Sequence, residues 1–344
     1  MKFAGKSAAV IACSVLLLTA CGTNGSNVPA KIAGAKNGPN ALTGMPGVNG
    51  PVLFVKIDDT QPAHPQIGLN KADVIYIEQV EGGLTRLAAV FSNQLPPVIG
   101  PIRSARISDI DLMANYGHPA FAYSGAQKLF LPVIKAANIE DLGAEHEPPS
   151  IYSRDPSRQD PTNMLLDPQA LLTKAIVTEK RTIDTAKSVG WKFGPLPKTG
   201  VPIVSVDLKW PASSYQVTWS GSQKRWFLSY RHEPDLASDG IQLGSPTFII
   251  QNVSIINSIY HDHNGNYTPF SNTVGSGTGY LLRDGQSIPV YWNRATAASA
   301  TTWTLKDGSP AYFSPGQVWI ALTDQKSTFT MPAPTGMATP SPTK

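Results

Sequence analysis

Between residues 50 and 195 the apolar residues come in short unbroken runs set apart by polar turns. "VLFVKIDD" (52–59), "ADVIYIEQV" (72–80) and "TRLAAVF" (85–91) are β-branched and aromatic, the composition of buried strands. The last two flank "EGGL" (81–84), where Gly82-Gly83 predicts a hairpin. "PVIG" is a short apolar segment stopped by Pro101. From Ser104 the spacing changes: Ile107, Ile110 and Leu112-Met113 recur at near-helical intervals and Gly117 ends the pattern. That predicts a helix with a Ser or Asp near its start. "AFAYSG" (120–125) reads as a strand. "AQKLFLPVIKAAN" (126–138) reads as a helix with Pro132 inside it, and "DPQALLTKAIVTEKR" (167–181) as a helix opened by its proline.

Beyond residue 195 the texture becomes alternating and aromatic. "IVSVDLKW", "SYQVTWS", "RWFLSYR", "TFIIQNVSII", "GYLLRDG", "IPVYWNR", "TTWTLKDG" and "QVWIALTD" are short strands punctuated by turn residues, including two Asp-Gly pairs. The expected fold class is therefore an α+β or α/β N-terminal domain followed by a mainly-β C-terminal domain. The boundary is expected in "WKFGPLPKTGVP" (191–202), giving domains 50–195 and 196–326. Residues 21–49, rich in Gly, Asn, Ala and Pro, read as a flexible tether. Residues 327–344, rich in Pro, Thr and Ser, read as a disordered tail.

The first residues set the compartment. "MKFAGKSAAVIACSVLLLTAC" has a basic start at Lys2 and Lys6, an apolar stretch from Ala8 to Leu18 and small residues before Cys21. This is the layout of a signal peptide, 1–20, and the apolar run is short for a membrane span. Its ending, "LTAC", resembles the lipobox of bacterial lipoproteins. The resemblance implies that Cys21 carries a lipid and anchors the chain to the outer face of the cell membrane. The other cysteine, Cys13, lies inside the signal, so disulfides, thiolate nucleophiles and cysteine-based zinc sites drop out. Charged residues make up only 15% of the 344 and the net charge is +4. Without Lys2 and Lys6 the excess falls to about +2, too little to argue for nucleic acid.

Several stretches carry a second resemblance. "VKIDDTQPAHPQIGLNKADVIYIEQVEGGLTRLAAVF", "IGPIRSAR" and "YSRDPSRQDPTNMLL" resemble the N-terminal domain of the YerB-like lipoproteins, a family of unknown function (DUF3048). "YRHEPD", "IIQNVSII", "GSGTGYLLRDG", "YWNR" and "SPGQVWIAL" resemble its C-terminal domain. The resemblance spans roughly residues 50–325 and implies architecture and compartment, with no activity. Where the family's segment often ends Pro-His-Asn, this chain reads Pro161-Thr162-Asn163, so no role for an imidazole there is implied.

The chemistry has to come from the residues. Asp58 and Asp59 close the first strand, Glu78 and Glu81 bracket the second hairpin strand's end, and Arg86 opens the third. Arg103 and Arg106 fall at a strand-to-helix junction, where the helix adds its own partial positive charge, so an anion has to offset them. "YSRDPSRQDPTN" adds Arg154, Arg158 and Asn163 on a polar loop. Arginine forks suit carboxylate and phosphate oxygens. Two readings follow. In one, Arg86, Arg103, Arg106, Arg154, Arg158 and Asn163 form an anion pocket, with Asp58, Glu78 or Glu81 as candidate general bases or partners of a divalent cation. In the other, the same charges form an internal ion-pair network.

Other motifs add little. His261 and His263 in "HDHNGN" fall short of a zinc ligand set, so no metal is assigned and no cofactor is expected beyond a divalent cation at the carboxylates. "VGSGTGYLLRDG" leads into a strand and lacks a phosphate loop's Lys-Ser/Thr. Ser124 lacks the glycine that precedes a nucleophile elbow. The tryptophans of the C-terminal half read as β-core residues before they read as sugar platforms.

The expected function is that of a lipid-anchored envelope protein binding an anionic ligand, such as a phosphorylated cell-wall glycan or its lipid-linked precursor. The alternative is an envelope enzyme acting on a phosphoester or glycan, with metal assistance.

Overall fold

In the computed structural model, residues 38–331 and Met1 are described. The N-terminal half supplies strands β1 (Leu53–Asp58), β2 (Val74–Gln79), β3 (Thr85–Phe91), β4 (Ala120–Ala122) and β5 (Glu140–Asp141). Its helices are α1 (Ile107–Ala114), α2 (Leu131–Ala136) and α3 (Pro168–Leu172). The C-terminal half supplies β6 (Ser205–Trp210), β7 (Ser213–Ser220), β8 (Arg225–Tyr230), β9 (Thr247–Asn252), β10 (Ser254–His261) and β11 (Tyr267–Asn272). It continues with β12 (Gly275–Arg283), β13 (Gln286–Arg294), β14 (Thr302–Thr304), β15 (Val318–Thr323) and β16 (Thr328–Thr330).

Strands from both halves share one sheet. Its order is β14-β13-β12-β9-β15-β2-β3-β1-β4-β5, and the short Val201–Pro202 strand also pairs with β13. The joint is β15, parallel to β9 on one side and to β2 on the other. Every residue of this "VWIALT" segment is buried, as a strand covered on both faces requires. A second sheet, built around β8-β7-β6-β16, packs over one face together with α3, burying Leu53, Val55, Ile77 and Trp319 against Val206, Tyr215, Trp226 and Leu171. The helices α1 and α2 cover the other face, where Phe54, Tyr76, Ala88 and Ile320 meet Leu112, Tyr116 and Ile134. Trp210, Trp226, Trp292, Trp303 and Trp319 are all core residues.

Three boundaries move. The tether drawn to residue 49 ends earlier: Leu42 is fully buried, and the Asn40 amide donates to Val48 O at 2.7 Å and Ser92 Oγ at 3.2 Å. Composition hid this, since Asn and Gly serve a packed turn as well as a coil. The tail drawn from residue 327 still contains β16, which extends the second sheet beside β6. The predicted helix around Pro132 is shorter than 126–138, because proline is held in the first turn, where no backbone N–H is needed.

Candidate functional site

Period-two alternation decides which charges meet. Phe54, Lys56 and Asp58 of β1, Tyr76 and Glu78 of β2, and Arg86 and Ala88 of β3 share the face that carries α1. The register sets Arg86 opposite both Asp58 and Glu78. This face is apolar at one end and charged at the other, and the charged end lies under the N-terminus of α1. The connection 101–105 holds α1 there: Asp58 N–H donates to Pro101 O at 2.9 Å, Arg103 N–H to Lys56 O at 2.9 Å, and Ala105 N–H to Gly125 O at 3.1 Å. Asp109 accepts the Arg106 N–H at 2.6 Å, so of the Ser or Asp expected near the helix start it is an acid of the first turn that caps it.

Each charge finds a partner inside the protein. Arg103 Nε lies 3.0 Å from Asp58 Oδ2, and Arg106 Nε lies 2.7 Å from Glu81 Oε1. Arg86 Nη1 donates to Ser104 O at 3.1 Å. Burial, then the charges of Arg106 and Arg103, push Arg86 down to about 9, still charged at neutral pH. Glu78 does not serve the arginines. It pairs with Lys56, which also donates to Asp109 Oδ1 at 2.8 Å. Lys56 is completely buried, and burial pulls it down to about 8 although Asp109 opposes the shift. Burial would raise Glu81, but the Arg106 charge and the hydrogen bonds from Thr268 and Arg106 outweigh it and lower its pKa.

Above the Arg106–Glu81 pair opens a cleft of about 480 Å³. Its other walls are Gln127, Phe130 and Glu145 from the N-terminal half and Tyr260 to His263 from the β10–β11 hairpin. The hairpin is fastened over α1 by Thr268, whose hydroxyl donates to Glu81, and by the Ser271 N–H, which donates to Ser108 Oγ at 3.0 Å. Phe130 and Tyr260 meet edge to face with centroids 5.3 Å apart. The side-chain oxygen of Gln127 is buried without a partner. Among the described residues no group of three or more His, Cys, Asp or Glu is placed to hold a metal ion.

The structure does not bring the third group of candidates here. Arg154 is exposed and bonds Asp160 and, at 2.6 Å, Asn163 Oδ1. Arg158 donates to Ala63 O at 2.9 Å and Pro65 O at 2.6 Å. The shared pocket expected for Arg103, Arg106, Arg154, Arg158 and Asn163 is therefore not formed, because the polar loop closes on itself and on 63–65. Cys21 lies outside the described residues.

Sequence reasoning missed Lys56, whose signal was a lysine inside an otherwise apolar run. It also missed a second cluster, where His64 bridges the halves. His64 Nδ1 lies 2.8 Å from Asp235 Oδ1, and Nε2 lies 3.4 Å from Asp59 Oδ1. Asp59 also accepts from Tyr215 OH at 2.6 Å, from Thr85 Oγ1 at 2.5 Å and from Gln66 Nε2 at 3.2 Å. The imidazole stacks on Tyr230 with centroids 4.2 Å apart.

Comparison with known proteins gives the family and the fold. The N-terminal domain model of a family described as protein of unknown function (DUF3048) matches residues 42–183, and the C-terminal domain model matches 205–320. YerB of Bacillus subtilis (strain 168), whose name assigns it provisionally to the lipoproteins, is 24% identical over 284 residues, which is 78% of this chain and 80% of YerB. The crystal structure of YerB protein from Bacillus subtilis superposes with a TM-score of 0.72 at 20% identity, covering 85% of this chain and 99% of that one. That likeness extends to the fold.

Proposed function

The chain belongs to the DUF3048 family, and from that premise we propose that it is an envelope lipoprotein, anchored through Cys21 on the outer face of the membrane, that binds a glycan in the α1 cleft. Among the described residues no helix is long and apolar enough to cross a membrane.

The observation that carries the ligand class is the surplus of acceptors in the cleft. Arg106 is already spent on Glu81. The other acids lining the cleft are Glu145 and Asp262; Asp262 is occupied by the N–H groups of Asn264 and Asn266 and the Asn266 amide, which leaves Glu145 and the unpartnered Gln127 oxygen as the open acceptors. A phosphate brings only acceptors and more negative charge. Sugar hydroxyls bring donors, and the Phe130–Tyr260 wall suits the apolar face of a pyranose. This replaces the expected anionic ligand of the arginine cluster with a neutral sugar. Catalysis is not proposed: Asp58 and Glu78 are fully buried, and Glu81 is held ionised by Arg106 and Thr268, which makes it a weak base.

Calorimetric titration of the purified protein with N-acetylglucosamine oligomers and their phosphorylated counterparts tests this. The neutral oligomers bind at least as tightly, and Gln127→Ala and Tyr260→Ala each weaken them about tenfold with unfolding unchanged. Tighter binding of the phosphorylated forms, or wild-type affinity in both variants, would overturn the reading.

A further inference from the structure

We propose that the cavity beside His64, where the two halves of the chain meet, is a second binding site and that it takes a primary ammonium group. Three stretches converge there. Asp59 to Gln66 and Tyr230 to Asp235 supply its side chains, and Arg158 fixes the backbone of the first by bonding Ala63 O and Pro65 O. The cavity holds about 340 Å³, and His64, Pro65, Tyr230, Arg231, Glu233 and Asp235 are among its walls, so the Arg231 cation and the Glu233 acid both line it.

The charges define the ligand. His64 turns Nδ1 to Asp235 at 2.8 Å and Nε2 towards Asp59 at 3.4 Å, with the Gln66 amide nitrogen 3.2 Å from the same Nε2. Burial opposes its charged form, but the hydrogen bonds to Asp235 and Asp59 outweigh burial and raise it to about 10. It is thus a cation held between two buried acids, and burial, opposed by His64, raises the pKa of Asp235. Asp59 is saturated by Tyr215, Thr85 and Gln66. Asp235 is not: it is 2% exposed, it receives only His64, and its Oδ2 has no donor. The Tyr230 hydroxyl, near Ser213 without a formed hydrogen bond, is also unpartnered. A buried carboxylate oxygen without a donor is costly, so the site is incomplete as the protein alone builds it.

The missing partner carries positive charge and N–H donors. A metal ion would need more oxygen ligands than the described residues gather. An ammonium needs only Asp235, the Tyr230 oxygen and the exposed Glu233 at the rim, while Pro65 and Pro234 offer an apolar wall to the carbon that bears it. Arg231 and His232, which carry the turn between Tyr230 and Glu233, both have positive φ, 50° and 74°. Tyr230 and Glu233 pair antiparallel, so this is a two-residue hairpin loop, and its tight turn demands that backbone and fixes where Tyr230 and Glu233 stand.

An ammonium of this kind comes from an amino sugar or from a lysine-like side chain, and titration distinguishes them. The His64 imidazole resonance of the purified full chain is followed with glucosamine, with Nα-acetyl-lysine methylamide and with glucose. Saturable shifts with either amine, or both, support the site and identify the source; glucose leaves the resonance unmoved. Tyr230→Phe, which keeps the stacking, weakens amine binding about fivefold, and so does the rim variant Glu233→Gln. Gln127→Ala, in the α1 cleft, leaves it unchanged. Glucose binding as well as glucosamine, or the absence of any shift with both amines, overturns the proposal.

Discussion

The two polar clusters of this protein solve the problem of buried charge in opposite ways. Under α1, Lys56, Arg86, Arg103 and Arg106 face Asp58, Glu78, Glu81 and Asp109, equal in number, all from one half of the chain and all on or next to regular elements. At the junction one imidazole faces two acids, and those acids come from different halves. The first cluster balances in formal charge, although Glu78 Oε2 has no donor. The second is short of one positive charge. A charge cluster therefore becomes a ligand site less by its size than by what it leaves unpaired.

The largest effect should come from unbalancing the first cluster. Lys56→Met leaves Glu78 and Asp109 buried without their cation, and urea unfolding should show a loss of about 3–5 kcal/mol. A loss under 1 kcal/mol would mean that the acids are protonated and the cluster is not ionic. Asp235→Asn in the second cluster should cost less, about 2–3 kcal/mol, since His64 keeps Asp59. Equal losses would make the two clusters alike and dissolve the contrast.

pH separates them by sign. The folded protein raises His64 from 6.5 to about 10, so its contribution is complete below pH 6.5 and is lost as pH rises towards 10. Lys56 is lowered from 10.5 to about 8, so its burial costs stability at neutral pH and the cost fades between 8 and 10.5. Stability of the wild type minus that of His64→Gln should therefore fall across pH 6.5–10; a flat difference would show that His64 is neutral. Arg154→Ala, outside both clusters, should stay within about 0.5 kcal/mol of wild type in the same unfolding assay.

The first cluster was largely legible. Its hairpin, its strands and the Gly-Pro stop before α1 are local signals; arginines at a positive helix end need an anion, which the sequence left open between an acid of the same domain and a phosphate, and the structure supplies Glu81 for Arg106 and Asp58 for Arg103. Lys56 was legible in principle, since a charge in a buried strand must have a partner. The second cluster was not: His64 and Asp235 are 171 residues apart, and nothing in "QPAHPQ" or "RHEPD" says that they touch. The hairpin over α1 was equally hidden. The Asn-Gly of "HDHNGN" is a local turn signal, but where a hairpin lies is decided by contacts such as Thr268 with Glu81, which periodicity does not encode. The same holds for the joining of the halves, which a change of texture near residue 195 suggested were separate.

The position of β15 bears on how the protein is made. A chain emerging N-terminus first has β1, β2 and β3 at hand early, yet the strand that covers the free edge of β2 is among the last to appear. In the interval β2 offers unpaired N–H and C=O groups along a ribbon that is apolar from Val74 to Ile77, the kind of edge that recruits other chains. Pairing across so much sequence is also slow. The nascent chain thus passes through a period of exposure set by the rate of its own synthesis, and a truncation near residue 195 would make that exposure permanent.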